Sequence, residues 1–589
     1  MSITPDSPQV VRRPSLFKDP TTLFQQYPAQ GVAQGPQCPQ CPPHLVTQPL
    51  VSQPLVTPGV VNAALPLFYC VDLVECDEID QQQTWRLPVW PALQDSASFS
   101  DWTTAFTLLR NLVRDSGTYA LVACLSPFLS LILTPFLTHS LSRADYGVLA
   151  VLNATIVFLA GLTQFGLGAA FTYGYNSDYH ASMAGQQVAF STMVRLLCLC
   201  SLLVAVLLWF CAPSIDQLFF HSALYTLQIK LMAVLIALQN LSMPGLTWLR
   251  LTGRATFFAV LTALGVIGNL LLTLLFVGVL HMGCDGALWS SCGSLLLLVL
   301  GTGPLVVRLL RPRFHLAIAY DLLAFGVSTL PGLLSVWVLQ LVDRYFLLSM
   351  GSLAQTASYS VAYTLGNVAA PLVIAPFALA WYSILHALAR NNRAHELFRQ
   401  VFRWYSALLL FTACLIATCA HLLLRWFFPP AYASLAAIIP LIALANVWYG
   451  LFDIFSVGVH VQRKIWYSVI YLPAAALLNL CLNLLLIPRY GALGAALATM
   501  LAYFALAVMA YIVNQHVYAI AFELARFGLA LVLGIGCYVA VQWVLQSPAL
   551  SELLRCLLTA LLLILYAVML VRLCKIPLGK VLAYRRVRV

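Results

Sequence analysis

Long apolar runs separated by short polar segments repeat along the chain from Tyr119 onward. The first two runs, Tyr119–Thr138 and Gly147–Phe171, are joined by a polar hinge, His139–Tyr146. A helix needs about 20 apolar residues to cross the bilayer core, so each run predicts one membrane span. The same criterion predicts fourteen spans, with approximate limits 119–138, 147–171, 188–212, 229–248, 256–280, 286–305, 319–341, 358–385, 402–424, 432–457, 466–487, 491–513, 527–545 and 554–573.

Landmarks in the first half of this pattern recur in the second half at a nearly constant distance. The pairs are Tyr146 and Tyr359 (213 residues apart), Asn269 and Asn479 (210 apart), and Gly286 and Gly494 (208 apart). Three landmarks in order at one offset predict two copies of one six-helix unit, spans 1–6 and 7–12. Because six is even, the copies have the same orientation, as in transporters built from parallel repeats.

The predicted fold is therefore an all-α polytopic membrane protein, with two parallel six-helix repeats forming two lobes around a central cavity and two extra C-terminal helices. We expect five segments. They are a Pro- and Gln-rich, largely disordered cytoplasmic tail (1–100), an interfacial amphipathic helix (101–117), an N-lobe (118–310), a C-lobe (311–514), and two additional spans with a basic cytoplasmic tail (515–589).

Composition agrees with this class and excludes a soluble domain. Of the 589 residues, 61% are hydrophobic and only 9% are charged. Residues 1–117 hold six Lys and Arg against ten Asp and Glu, whereas residues 118–589 hold 25 against ten. A basic excess in a membrane domain indicates topology and contact with anionic lipid head groups. No basic cluster interleaved with aromatic residues predicts a nucleic-acid partner.

The basic residues also predict the orientation of the spans. The side that carries both termini has twenty Lys and Arg, and the opposite side has six, which are Arg143, Lys230, Arg344, Arg425, Arg489 and Arg555. By the positive-inside rule both termini are cytoplasmic and the hinge faces outward.

Twelve of the sixteen cysteines lie in or beside the predicted spans, and the other four are Cys38, Cys41, Cys70 and Cys76. The first two have the spacing of half a zinc site, but the second two do not complete it, so we expect no metal site. The spans contain no nucleotide-binding loop and no nucleophile–base motif. These observations predict a protein that is not an enzyme and needs no cofactor.

Several short motifs resemble those of polysaccharide-repeat flippases. They are Leu141-Ser-Arg-Ala-Asp-Tyr146-Gly in the hinge, Leu341-Val-Asp343-Arg344, Tyr359-Ser-Val-Ala-Tyr363, and Pro488-Arg-Tyr-Gly491-Ala-Leu-Gly494. Through these motifs, residues 105–573 resemble the multidrug/oligosaccharidyl-lipid/polysaccharide exporter superfamily, and within it the lipid-linked oligosaccharide (O-antigen type) flippases.

This resemblance implies a transporter in the bacterial inner membrane, in contact with membrane lipids. Its substrate would be an undecaprenyl-diphosphate-linked oligosaccharide, moved from the cytoplasmic to the outer leaflet for cell-surface polysaccharide biosynthesis. Polysaccharide polymerase and chain-length machinery would be its partners. Because each six-helix copy has its counterpart within the same chain, we expect a monomer.

A flippase needs a wet, preferably cationic cavity, and polar residues on helical faces inside the spans are the candidates to line it. They are Asn153, Gln164, Arg195, Gln239 and Asn240 in the first copy, and Gln340, Arg344, Tyr359, Tyr363, Asn367, Asn446 and Tyr449 in the second. Asp343 and Asp453 are the candidates for ion coupling. Structural roles are open for several: Arg195 could snorkel to head groups, Asp343 and Arg344 could cap their span, and Asp453 could pair with an arginine.

Two other function classes fit an all-helical membrane protein. Cation-coupled multidrug exporters of the same superfamily usually keep a carboxylate in the first span, but Tyr119–Thr138 has none. Polytopic polysaccharide polymerases and glycosyltransferases tend to have a large extracytoplasmic loop, whereas the longest predicted outward loop, Pro213–Gln228, has 16 residues. Both observations favour the flippase.

Overall fold

A computed structural model describes residues 117–177, 182–312, 314–547 and 551–575, and these are almost entirely helical, with no strand among them. The predicted tail, its four cysteines, the amphipathic helix up to residue 116 and the basic C-terminal tail from residue 576 lie outside the described residues. The helices of the first half are α1 (Gly117–Ser140), α2 (Arg143–Gln164), α3 (Leu167–Asn176), α4 (Met183–Phe220), α5 (Thr226–Leu251), α6 (Ala255–Thr273) and α7 (Gly283–Leu309).

The second half continues the same pattern. Its helices are α8 (Leu316–Leu341), α9 (Asp343–Met350), α10 (Leu353–Gly366), α11 (Ala375–Ala389), α12 (Ala394–Phe427), α13 (Ile439–Phe455), α14 (Val457–Val461), α15 (Ser468–Tyr490), α16 (Ala492–Val517), α17 (Leu524–Gln546) and α18 (Glu552–Leu573). Short 3₁₀ or π-helical turns follow α6, α10, α12 and α14.

Within the described ranges, thirteen helical segments from α2 onward are long and apolar enough to cross a membrane. They correspond to predicted spans 2–14, and α1 is a 24-residue helix over the first predicted span. The all-α polytopic class is therefore confirmed, while the total of fourteen spans and the internal repeat stay predictions.

The two helices beside the hinge extend further into it than the polar pattern predicts. The Ser142 side chain accepts a hydrogen bond from the Asp145 N–H (3.1 Å) and donates one to the Asp145 carboxylate (2.7 Å). A serine N-cap with an acidic residue three positions later is a strong helix-start signal, so α2 begins at Arg143. The predicted outward loop Pro213–Gln228 is also shorter, because α4 continues to Phe220 and α5 begins at Thr226.

The helices pack as two lobes. We call α1–α7 the N-lobe and α8–α16 the C-lobe, and α17 and α18 pack against α12 of the C-lobe. One apolar core, around Trp381 and Phe402, lies within the C-lobe and the two C-terminal helices. Another joins Val148 and Ile236 of the N-lobe to Tyr359 of the C-lobe. A shared core of this kind means that the lobes are closely packed in this conformation.

Helix α2 forms much of the contact between the lobes. At one end of the molecule, which carries the turns at residues 140–142, 351–352 and 491 and is called the hinge end below, α2 packs directly on the start of α10. A Cβ atom on Gly147 would lie 2.2 Å from the Leu353 carbonyl oxygen, so only glycine permits this approach. Beside it, Arg143 donates a hydrogen bond to Ser358 (2.7 Å).

The other end of α2 meets α8. Phe165 and Gly166 both have left-handed backbone conformations (φ 44° and 63°), which end α2 and start α3. A Cβ atom on Gly166 would lie 2.3 Å from the Thr329 hydroxyl oxygen of α8. Helix α2 therefore contacts the C-lobe along its whole length.

Candidate transport site at the lobe interface

The polar centre of the C-lobe is Asp343, a fully buried carboxylate at the start of α9. It accepts hydrogen bonds from three helices: the Tyr359 hydroxyl of α10, the Asn483 amide of α15 (2.6 Å) and the Thr499 hydroxyl of α16 (2.7 Å). Asn483 also donates to the Asn479 amide oxygen, one turn away (3.1 Å). A buried charge needs such partners, because transfer from water without them is very costly.

Arg344 follows Asp343 directly but points elsewhere, as their adjacent positions on a helix predict. Its guanidinium donates to the Gln340 carbonyl oxygen (3.1 Å) and lies over the Tyr363 ring, 5.0 Å from the ring centroid. The structure thus brings the nominated Tyr359 to the Asp343 carboxylate and the nominated Gln340 and Tyr363 to Arg344, and the ring centroids of Tyr359 and Tyr363 lie 6.0 Å apart.

A row of tyrosines leads from this cluster into the C-lobe. The side chains of Tyr503 and Tyr363 interact, and the ring centroids of Tyr503 and Tyr449 lie 5.2 Å apart. Tyr449, Tyr503 and Gln340 line a small cavity of about 10 Å³, which has room for about one water molecule. Tyr449, a nominated residue, therefore lies near the cluster without touching Asp343 itself.

Asp453, the second coupling candidate, is buried one turn beyond Tyr449 on α13. The Tyr382 hydroxyl donates a hydrogen bond to it (3.4 Å), and the Tyr382 ring packs edge-on against His460 of α14 (4.7 Å). Among the described residues, no ion pair joins Asp453 to an arginine, which was the structural alternative for this residue.

Aromatic and hydroxyl side chains connect the lobes near the middle of α2. The Thr155 and Tyr345 hydroxyls are hydrogen-bonded at 2.5 Å, and the Trp337 indole N–H donates to the Ala154 carbonyl oxygen (3.2 Å). The Phe158 and Trp337 ring centroids lie 4.3 Å apart. Tyr345 and Asp343 lie on the same short helix, α9, so this helix connects the lobe interface to the buried carboxylate.

The N-lobe has a separate polar cluster around Asn240, which is buried on α5. Its amide donates to Thr163 (2.6 Å) and Ser201 (2.8 Å), and its oxygen accepts from Gln164 (3.0 Å). These bonds join α2, α4 and α5 within one lobe. Two nominated residues, Gln164 and Asn240, therefore contact each other.

The other nominated residues lie apart from both clusters. Asn153 is exposed, whereas Gln239 and Asn367 are half-buried. The Arg195 guanidinium donates to the Arg311 carbonyl oxygen (2.5 Å), which attaches α4 to the segment between the lobes. The buried Asn446 amide donates to the carbonyl oxygens of Ile442 (2.9 Å) and Gly366 (3.3 Å), and so joins α13 to the end of α10.

Several residues of these contacts were not nominated from the sequence, among them Asn483, Thr499, Tyr503 and Arg143. Asn483 and Thr499 follow Asp343 by 140 and 156 residues, so only the packing of α9 against α15 and α16 brings them together. A polar residue in the middle of an apolar span was the available signal for all but Arg143, which lies at a helix start.

Solved structures with the same fold are membrane transporters. The lipid II flippase MurJ in an inward closed conformation matches with a TM-score of 0.61 and 15% identity, covering 78% of this chain and 99% of that one. A multidrug resistance MATE family transporter of the MOP superfamily, inward-facing, matches with a TM-score of 0.52 and 17% identity, covering 67% and 97%. A variant of the Vibrio cholerae MATE transporter VcmN matches with a TM-score of 0.50 and 14% identity, covering 70% of this chain and 98% of that one. No curated protein sequence matches the chain.

The family model described as polysaccharide biosynthesis protein matches residues 112–388. Over these 277 residues, just under half of the chain, the sequence is similar to this polysaccharide biosynthesis family, and the chain shares the fold of the transporters described above. The resemblance inferred from the hinge and the Asp343 motif is thereby confirmed, and so are the two-lobed fold and the location in a membrane. The matched residues include all of the N-lobe together with α8, α9 and α10, and hence both sides of the interface along α2.

Proposed function

We propose that this transporter flips an undecaprenyl-diphosphate-linked oligosaccharide from the cytoplasmic to the outer leaflet by alternating access, for cell-surface polysaccharide biosynthesis. The match to the polysaccharide biosynthesis family carries this proposal. The likeness in fold to a lipid II flippase supports it, because that protein is also a flippase of a lipid-linked molecule. The cargo head group would pass between the N-lobe and the C-lobe while its lipid chain stays in the bilayer.

The runner-up is a cation-coupled multidrug exporter, which the matches in fold to MATE transporters favour. Helix α1 contains no acidic residue, whereas the sequence resemblance implies a carboxylate in the first span of such exporters. The C-lobe instead holds Asp343. We therefore assign ion coupling to the C-lobe and retain the flippase as the proposal.

Asp343 is well placed to couple ion binding to lobe movement. Its partner Tyr359 is on α10, whose first residue, Leu353, packs against Gly147 of the N-lobe. Protonation of Asp343, or binding of a monovalent cation, would weaken or replace the bonds that it accepts from α10, α15 and α16. Such a change alters the position of α10 and hence the lobe contact, which is how one site biases two conformations.

For orientation, we retain the positive-inside assignment: a bacterial inner-membrane protein with both termini cytoplasmic and the hinge end outside. Arg143, Arg425, Arg489 and Arg555 would then face the outer side.

A deletion strain should accumulate the lipid-linked oligosaccharide on the cytoplasmic leaflet and lose its surface polysaccharide, because the unaided crossing of a polar head group is very costly. Mass spectrometry of the accumulated lipid identifies the sugar unit, and plasmid-borne wild-type protein is the control. Normal surface glycan together with a change in dye resistance would reject the flippase and support the multidrug exporter.

A further inference from the structure

A cavity of about 740 Å³ opens at the hinge end, directly beside the contact between Gly147 and Leu353. Its lining comes from the start of α2, the turn between α9 and α10, the segment that precedes α13, and the turn between α15 and α16. We call it the hinge-end vestibule. Its volume lies within the range of about 300–1,000 Å³ that is usual for small-molecule sites.

The vestibule is cationic. Arg143 and Arg489 are among its lining residues, and no acidic residue is. Hydroxyl and amide groups of Ser352, Gln355 and Ser434 add hydrogen-bonding capacity. The 26-residue helix α16 begins at its wall, and no side chain caps that helix start, so its first N–H groups add positive potential.

The hydrogen-bonding groups of Arg143 are only partly satisfied within the protein. Its terminal nitrogen donates to Ser358, and its guanidinium lies 5.5 Å from the centre of the Tyr432 ring. Its Nε, in contrast, is buried without a hydrogen-bond partner among the described residues. Once the guanidinium turns away from Ser358, an anion in the vestibule would supply the acceptor that Nε lacks.

We propose that the hinge-end vestibule binds the diphosphate of the lipid-linked cargo as it leaves between the lobes. This inference rests on the proposed flippase function. A diphosphate offers several charged oxygens to Arg143, Arg489 and the α16 N-terminus, and arginine binds phosphate oxygens in a forked geometry. The neighbouring hydroxyl and amide groups suit the sugar that follows the diphosphate.

The same site connects cargo to the state of the lobes. The Arg143–Ser358 bond joins α2 of the N-lobe to α10 of the C-lobe, so it must break when the hinge end opens. A diphosphate that takes the Arg143 guanidinium from Ser358 compensates for that loss. Cargo in the vestibule therefore favours the open hinge end, and its release allows the bond to form again.

Binding of inorganic pyrophosphate to the purified full chain in nanodiscs tests the proposal by isothermal titration calorimetry. We expect Arg143→Gln and Arg489→Gln each to raise the Kd about tenfold or more, because each removes a charge-assisted hydrogen bond. Arg489 is exposed, so its substitution tests the site without disturbing the packing. Arg425→Gln is the matched control, because Arg425 is an exposed arginine that pairs with Glu552 and does not line the vestibule.

Two competitors separate the lipid diphosphate from ordinary phospholipid. Undecaprenyl diphosphate in the nanodiscs should displace pyrophosphate, whereas phosphatidylglycerol at the same fraction should not. Unchanged Kd values in both vestibule variants, or equal displacement by phosphatidylglycerol, would overturn the proposal. The titration involves no transport, so it tests the anion site separately. If binding depends on the two arginines but the deletion strain keeps its surface polysaccharide, the flippase function is rejected and the anion site is retained.

Discussion

Asp343→Asn should lower ion-driven transport on the order of 100-fold while the protein stays folded in the membrane. Asparagine has nearly the same shape, and its oxygen can still accept hydrogen bonds from Thr499 and Tyr359. Its NH2 group can donate to Asn483 Oδ1, which has no other partner among the described residues, once that amide turns over, so the packing of α9, α15 and α16 should persist. The amide cannot be protonated and binds a cation poorly. Coupling free energies between sites are typically about 1–3 kcal/mol, which corresponds to changes of about 5- to 150-fold, and this range sets the expected loss.

Asp216→Asn is the matched control. Asp216 is also a fully buried carboxylate with three donors: the Ser222 hydroxyl (3.2 Å), the Tyr225 N–H (2.9 Å) and the Thr226 hydroxyl (2.8 Å). It joins the end of α4 to the start of α5 within the N-lobe. Its substitution should affect thermal stability but leave the dependence of transport on the ion gradient unchanged. Equal transport by Asp343→Asn and wild type would remove Asp343 from the coupling site, and Asp453→Asn would then be the variant to compare.

Gly147→Val should prevent the lobes from closing at the hinge end and reduce transport to about a tenth or less. The first added carbon would lie 2.2 Å from the Leu353 carbonyl oxygen, which is backbone and cannot rotate away. Overpacking of this kind typically costs about 1–3 kcal/mol, and here the cost falls only on the closed state. Because alternating access needs both states at comparable free energy, the variant should populate the open hinge end.

Hydrogen–deuterium exchange of the purified variant measures that opening. We expect faster exchange in the segments 140–148 and 350–358, while α12 and α13 keep their wild-type rates. Gly303→Val is the control, because a Cβ on Gly303 of α7 would meet no atom within 4 Å. Wild-type exchange in both segments of the Gly147 variant, with transport lost, would contradict a role for this contact in the cycle.

The periodic apolar pattern predicted the helices well, because a membrane span must satisfy its own backbone hydrogen bonds and is therefore readable from length and composition alone. It also nominated Asp343, Arg344, Tyr359 and Tyr363, which do lie together. The useful signal was the position of these polar residues in apolar spans: Asp343 and Arg344 are adjacent at the start of α9, and Tyr359 and Tyr363 lie four residues apart on one face of α10.

Contacts between distant segments could not be predicted in the same way. The bonds from Asn483 and Thr499 to Asp343 depend on which faces of α15 and α16 turn inward, and a uniformly apolar helix does not reveal its orientation. Arg143 was visible in the sequence only as a cation of an outward loop. Its bond to Ser358 arises because Gly147 lets α2 approach α10 closely.

Reconstitution measures whether this chain moves a lipid-linked oligosaccharide between leaflets. The purified protein is placed in proteoliposomes that contain the lipid-linked oligosaccharide identified from the deletion strain. A membrane-impermeant glycosidase or lectin then measures the fraction of sugar exposed outside. We predict that wild-type protein with an imposed ion gradient shifts this fraction within minutes, whereas empty liposomes and Asp343→Asn do not. An exposed fraction equal to that of empty liposomes, from protein that is folded and inserted, would reject the flippase function.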